Sequence, residues 1–108
     1  MAFDKKPATW IPSWSENGTN ITVPLATFPE MTAAEADADT GDIREVLLAI
    51  MEQLWAKWYA TAEASRPGNM TMHRSSNPDD ETGVITKQFT LVFKTQVTSQ
   101  VQKVIDEV

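Results

Sequence analysis

Residues 43–64 constrain this chain more than any other stretch. They carry Ile43, Val46, Leu47, Leu48, Ile50, Met51, Leu54, Trp55, Trp58 and Tyr59 at helical spacing. With Val46 at zero and an advance of ~100° per residue, these ten side chains span an arc of roughly 220°. The rest of the circle holds Glu45, Glu52, Gln53, Glu63 and several alanines. A surface helix of a globular protein needs an apolar stripe of about 100°. One packing partner leaves part of this arc uncovered.

The arc divides into a seam (Ile43, Leu47, Ile50, Leu54, Trp58) and a flank (Leu48, Met51, Trp55, Tyr59). Thr40 or Asp42 caps the start, and Asp42-Ile43-Arg44-Glu45 has capping-box spacing. Pro67 bars continuation and Gly68 allows a left-handed turn, so the pattern predicts a helix of roughly 22 residues, about 33 Å long.

Two strands follow, predicted at 70–76 and 84–95 around the loop 77–83. Phe89, Leu91 and Phe93 alternate with Thr90, Val92 and Lys94, which is strand period and gives the hairpin one apolar face. Beyond it, Val97, Val101, Val104, Ile105 and Val108 fall at i, i+4, i+7, i+8 and i+11. That spacing predicts a short helix over 100–107, with continued strand as the rival because valine favours sheets.

The first 42 residues differ in kind. They hold seven acids and two bases, a charge of −5 out of the chain's −6. They also hold four of the six prolines. Pro7, Pro12, Asn17 and Gly18 mark turns and extended chain over 1–18. Yet Phe3, Trp10, Ile11 and Trp14 lie there, and large apolar groups on an irregular arm must be buried. The arm either folds back on its own domain or reaches a neighbouring subunit. Ile21, Val23 and Leu25 alternate, but Pro24 cannot donate to a ladder, so 20–25 reads as an edge strand or extended clamp. Residues 30–42 (EMTAAEADADTGD) read as a solvated connector with one loose helical turn in 32–38.

The expected architecture is therefore α+β. One long helix packs on an antiparallel hairpin or three-stranded sheet, with an extended arm over 1–18 and a single domain over 19–108. The helix flank needs a cover: the arm, the C-terminal helix, or another copy of the chain. Trp, Tyr and Met are enriched in interface cores. The candidate contacts are Trp10, Trp14, Leu48, Met51, Trp55 and Tyr59.

Composition narrows the chemistry. The chain of 108 residues has no cysteine and one histidine, so thiolate zinc sites and disulfides are out and most imidazole chemistry with them. The acidic balance argues against a nucleic-acid or anionic-lipid partner. No apolar run approaches ~18–20 residues, so no membrane span is expected, and no signal peptide is visible.

Glu35, Asp37 and Asp39 alternate like the first ligands of a calcium loop, but the glycine comes one place late at Gly41 and position 12 is Val46. His73, on the strand face with Thr71 and Ser75, is the one histidine base, with no Gly-x-Ser-x-Gly beside it. Three acceptor sequons begin at Asn17, Asn20 and Asn69, and they read as turn chemistry. No catalytic residue, cofactor or metal is expected.

One order of motifs resembles a known group. Thr40-Gly41-Asp42-Ile43-Arg44-Glu45-Val46-Leu47-Leu48 opens a helix ending in Arg66-Pro67. Met70-Thr71-Met72-His73-Arg74-Ser75-Ser76 follows, then Asp80-x-Thr82-Gly83-x-x-Thr86-x-x-Phe89-Thr90. Over 40–94, about half the chain, this is similar to small uncharacterised proteins of phages and prophage-like regions. The resemblance implies a virion component, a capsid decoration or a tail or neck protein, located in the virion if phage-encoded and otherwise in the cytoplasm. The expectation is a non-enzymatic assembly protein partnered by its own copies or by other virion proteins. The alternative is an acidic binding module, of inhibitor or immunity type, that covers a basic partner.

Overall fold

The computed structural model describes residues 5–95 and Val104. It contains one long helix and two antiparallel two-stranded sheets, a mixed α+β architecture. The chain divides into two compact units, Met1–Arg66 and Pro67–Val108.

The first unit opens with a short helix, α1 (Pro7–Trp10). Pro7 punctuates the sequence, but it also stands at the first helical position. There its missing N–H costs nothing and its fixed φ suits a helix. This turn places Trp10 against the long helix. Strands β1 (Ser15–Glu16) and β2 (Ile21–Thr22) then pair, Ser15 opposite Thr22 and Glu16 opposite Ile21. The strand expected over 20–25 is this short because Pro24, with no N–H, leads into a 3-10 turn at Leu25–Thr27. Thr27 Oγ1 donates to the Pro12 carbonyl at 2.6 Å and ties the two stretches together.

The connector is more organised than a solvated linker. Thr32 N–H donates to Glu35 Oε1 at 2.8 Å, and Glu35 N–H donates to Thr32 Oγ1 at 3.2 Å. That is a reciprocal capping box on a single turn. Asp37 Oδ1 accepts from the N–H groups of Asp39 and Thr40 at 2.9 and 3.0 Å. Gly41 then passes so close to the Glu35 and Asp37 backbone that a Cβ would lie 2.5 Å from the Asp37 carbonyl oxygen, and nearer still to that of Glu35. The late glycine that spoils a calcium loop is required by this close approach.

Helix α2 runs Ile43–Ala60, 18 residues, about 27 Å at 1.5 Å per residue. Asp42 is its N-cap and accepts from Arg44 N–H at 2.9 Å. The helix stops four residues short of the expected end. Thr61 leaves helical geometry and turns its hydroxyl back onto the Lys57 carbonyl at 2.6 Å. Arg66 Nε donates to the carbonyls of Trp58 and Thr61 at 3.0 and 3.1 Å. These bonds satisfy carbonyls that a continuing helix would have used. A 3-10 turn at Glu63–Ser65 follows.

The second unit is a hairpin of β3 (Met70–Asp79) and β4 (Val84–Phe93). The register pairs Met70 with Phe93, Met72 with Leu91 and Arg74 with Phe89, so these six share one face. The other face carries Thr71, His73 and Ser75 opposite Val92, Thr90 and Gln88. β3 extends through Asn77, Pro78 and Asp79, residues that the sequence pattern assigns to the loop. Pro78 is tolerated because, among the described strands, β3 pairs on one side only. The loop shrinks to residues 80–83. Gly83, at φ 73°, donates to the Asp79 carbonyl at 2.9 Å, and Glu81 N–H donates to Asp79 Oδ1 at 3.0 Å.

The short helix expected over 100–107 lies outside the described residues except at Val104. That residue forms an antiparallel bridge with Thr95, a strand-like contact rather than a helical one. No described helix is long and apolar enough to cross a membrane.

Candidate functional site

The candidate contacts separate by where α2 sends each side chain. Trp58 is buried, and so is Trp10, which α1 lays against it. Their ring centroids are 6.0 Å apart with planes tilted by 47°. The Arg66 guanidinium covers the Trp58 ring at 4.8 Å. This aromatic–cation stack is the anchor of the first unit. It uses Trp10 internally, so of the expected contacts this one is already covered by its own chain. Trp14 is half-buried.

Leu48, Met51 and Trp55 are half-buried on α2. Tyr59 is 75% exposed, and its ring lies 5.8 Å from that of Trp55. The structure thus brings Trp55 and Tyr59 together as one aromatic pair at the C-terminal end of the helix. Two residues assigned to the seam are also open: Ile43 is 66% exposed and Leu47 53%. They sit one turn apart near the helix start.

The opposite side of the helix is covered in part. Ala49 is buried, and with Glu52, Gln53 and Ala56 it lines a cleft of about 170 Å³ completed by Phe28, Pro29 and Glu30. Phe28 is itself buried. Phe28 therefore lies on the side of the helix that the wheel leaves outside the apolar arc, beside the buried Ala49, while Ala56 stays exposed. Periodicity of large side chains could not show this. The available signal was the pairing of a lone phenylalanine with alanines spaced seven apart, two helical turns.

Polar chemistry concentrates at the start of α2. Arg44 grips Asp42 with both donors, Nε to Oδ1 at 3.0 Å and a terminal nitrogen to Oδ2 at 2.7 Å. The Arg44 side chain and then its backbone N–H hold the Asp42 carboxyl down at about 2. Asp37 is also lowered, by the N–H groups of Asp39 and Thr40. The carboxylates of Glu35, Asp37 and Asp42 are thus turned onto the chain's own donors. Among the described residues no group of three or more His, Asp or Glu side chains could hold a metal ion. His73 lies exposed on β3, opposite Thr90.

The hairpin also presents apolar groups to solvent. Val84 and Ile85 are exposed beside the loop, and Val92 and Phe93 at the other end. No family model, curated protein or solved structure matches the chain.

Proposed function

We propose that this chain is a non-enzymatic assembly subunit that associates with further copies of itself through the apolar face of α2. The observation that supports the reading is the exposure of Ile43 and Leu47 near the start of α2 and of Tyr59 at its end. Full burial of one large apolar side chain stabilises by about 1.5–3 kcal/mol. Three such groups in water represent a sizeable unused driving force beside a domain stability of about 5–15 kcal/mol. Tyr59 beside Trp55 has the composition of an interface anchor, a rigid amphipathic ring with a polar tip. The resemblance of residues 40–94 to small phage and prophage proteins makes a virion the assembly this reading favours.

The acidity of the first 42 residues favours a second reading, an acidic module that covers a basic partner. Sedimentation at low and high salt separates the two. Self-association through α2 persists or strengthens with salt, because apolar burial drives it. Capture of a basic protein by a chain that remains monomeric, with affinity falling steeply as salt rises, favours the second reading and overturns the first.

A further inference from the structure

We propose that Asn17 is a self-modifying site, a deamidation centre whose three reacting parts are held in place by the turn between β1 and β2. Asparagine followed by glycine can close on itself. The Gly18 backbone nitrogen attacks Cγ of Asn17, and that N–Cγ bond forms as the Cγ–Nδ2 bond breaks. The Gly18 proton and the departing amide leave as ammonia, and the product is a cyclic imide. Water then opens either carbonyl of the imide and yields aspartate or isoaspartate. No oxidant, reductant or second protein is needed.

Two groups speed the step: a base for the Gly18 N–H proton, and donors for the charge developing on Asn17 Oδ1. Both are present here. Glu16 Oε2 accepts the Gly18 N–H at 2.7 Å, within the reach of a general base. Asn17 Oδ1 accepts from the N–H groups of Thr19 and Asn20 at 2.9 and 2.7 Å. Two backbone donors on one oxygen are the arrangement that stabilises an oxyanion. Gly18 stands at φ 89°, and apart from its chain neighbours no heavy atom lies within 4 Å of where a Cβ would be. Residues 15–20 are all exposed, so water reaches the imide.

The consequence is local and irreversible. Aspartate keeps the turn and adds one negative charge. Isoaspartate inserts a methylene into the backbone between β1 and β2. That spoils the Asn17 N–H to Asn20 carbonyl bond of 3.2 Å, which closes the turn. The site would mark the age of each copy in the segment that leads from α1 to Phe28.

The test follows the full-length chain at neutral pH by intact mass and by peptide mapping. Deamidation is expected at Asn17, faster in the folded chain than in the same chain unfolded in urea. Glu16→Gln is expected to slow the folded rate by about 10²-fold and to leave the unfolded rate alone. A folded rate equal to or below the unfolded one overturns the proposal, because the turn then protects Asn17. A Glu16→Gln chain that deamidates at the unchanged rate overturns the role of Glu16, and with it the assembled centre.

Discussion

Trp10→Ala is the sharpest perturbation of the first unit. Trp10 keeps 7% of its surface exposed and Trp58 6%. An indole of ~200 Å² buried at ~25 cal/mol per Å² is worth about 5 kcal/mol. Truncations of this kind cost about 3–5 kcal/mol once the cavity is counted. The pair at 6.0 Å adds a coupling of about 0.5–1.5 kcal/mol, which a cycle with Trp58→Ala isolates. All four tryptophans, Trp10, Trp14, Trp55 and Trp58, fall in the first unit, so their fluorescence in urea reports that unit alone. With a slope of about 1–3 kcal/mol per molar, a loss near 4 kcal/mol lowers the urea midpoint by about 2 M. Trp14→Ala, at a half-buried position, lowers it less. A Trp10→Ala midpoint within about 0.5 M of the parent would show that the arm adds nothing to the helix and would refute the packing argument.

Three other substitutions probe separate devices. Gly41→Ala forces a Cβ into the Glu35 and Asp37 backbone and should cost about 1–3 kcal/mol, read as a lower midpoint with the melting slope unchanged. Arg66→Ala removes the donor to the Trp58 and Thr61 carbonyls and the cation over the indole, a loss of about 1–3 kcal/mol. Arg66→Lys should not restore it, since the one Nε–H that bridges the two carbonyls and the guanidinium plane over the indole have no counterpart in an ammonium. The Asp42 carboxyl lies at about 2 against an ordinary 3.8. Its folded value is depressed, so its contribution is complete above pH ~4 and is lost as pH falls through ~2. Far-ultraviolet dichroism should show that Asp42→Asn removes this acid step while the helix remains capped at neutral pH.

The helix start was legible because one residue carries it: Asp42 precedes the apolar period and caps as its chemistry demands. The end was not, because Pro67 is a louder signal than Thr61. The hydroxyl and the Arg66 side chain stop the helix earlier through bonds that only the folded chain brings together. The hairpin faces followed from strict alternation at Phe89, Leu91 and Phe93. Its length did not, since Pro78 reads as loop unless the strand is known to pair on one side. Trp10 was visible as a residue needing cover, but α1 was hidden by Pro7, which both punctuates turns and opens helices. Least legible was Phe28 beside Ala49. Small residues leave no amphipathic trace, so the wheel points only to the large side chains, of which Trp58 meets Trp10 while Ile43, Leu47 and Tyr59 stay exposed.

If another copy completes the apolar face of α2, light scattering on the purified chain gives a mass of two or more 12.0 kDa chains. A Leu47→Glu, Tyr59→Ser chain with unchanged dichroism then falls to a single chain. A parent that stays at one chain mass at every concentration overturns self-association through this helix.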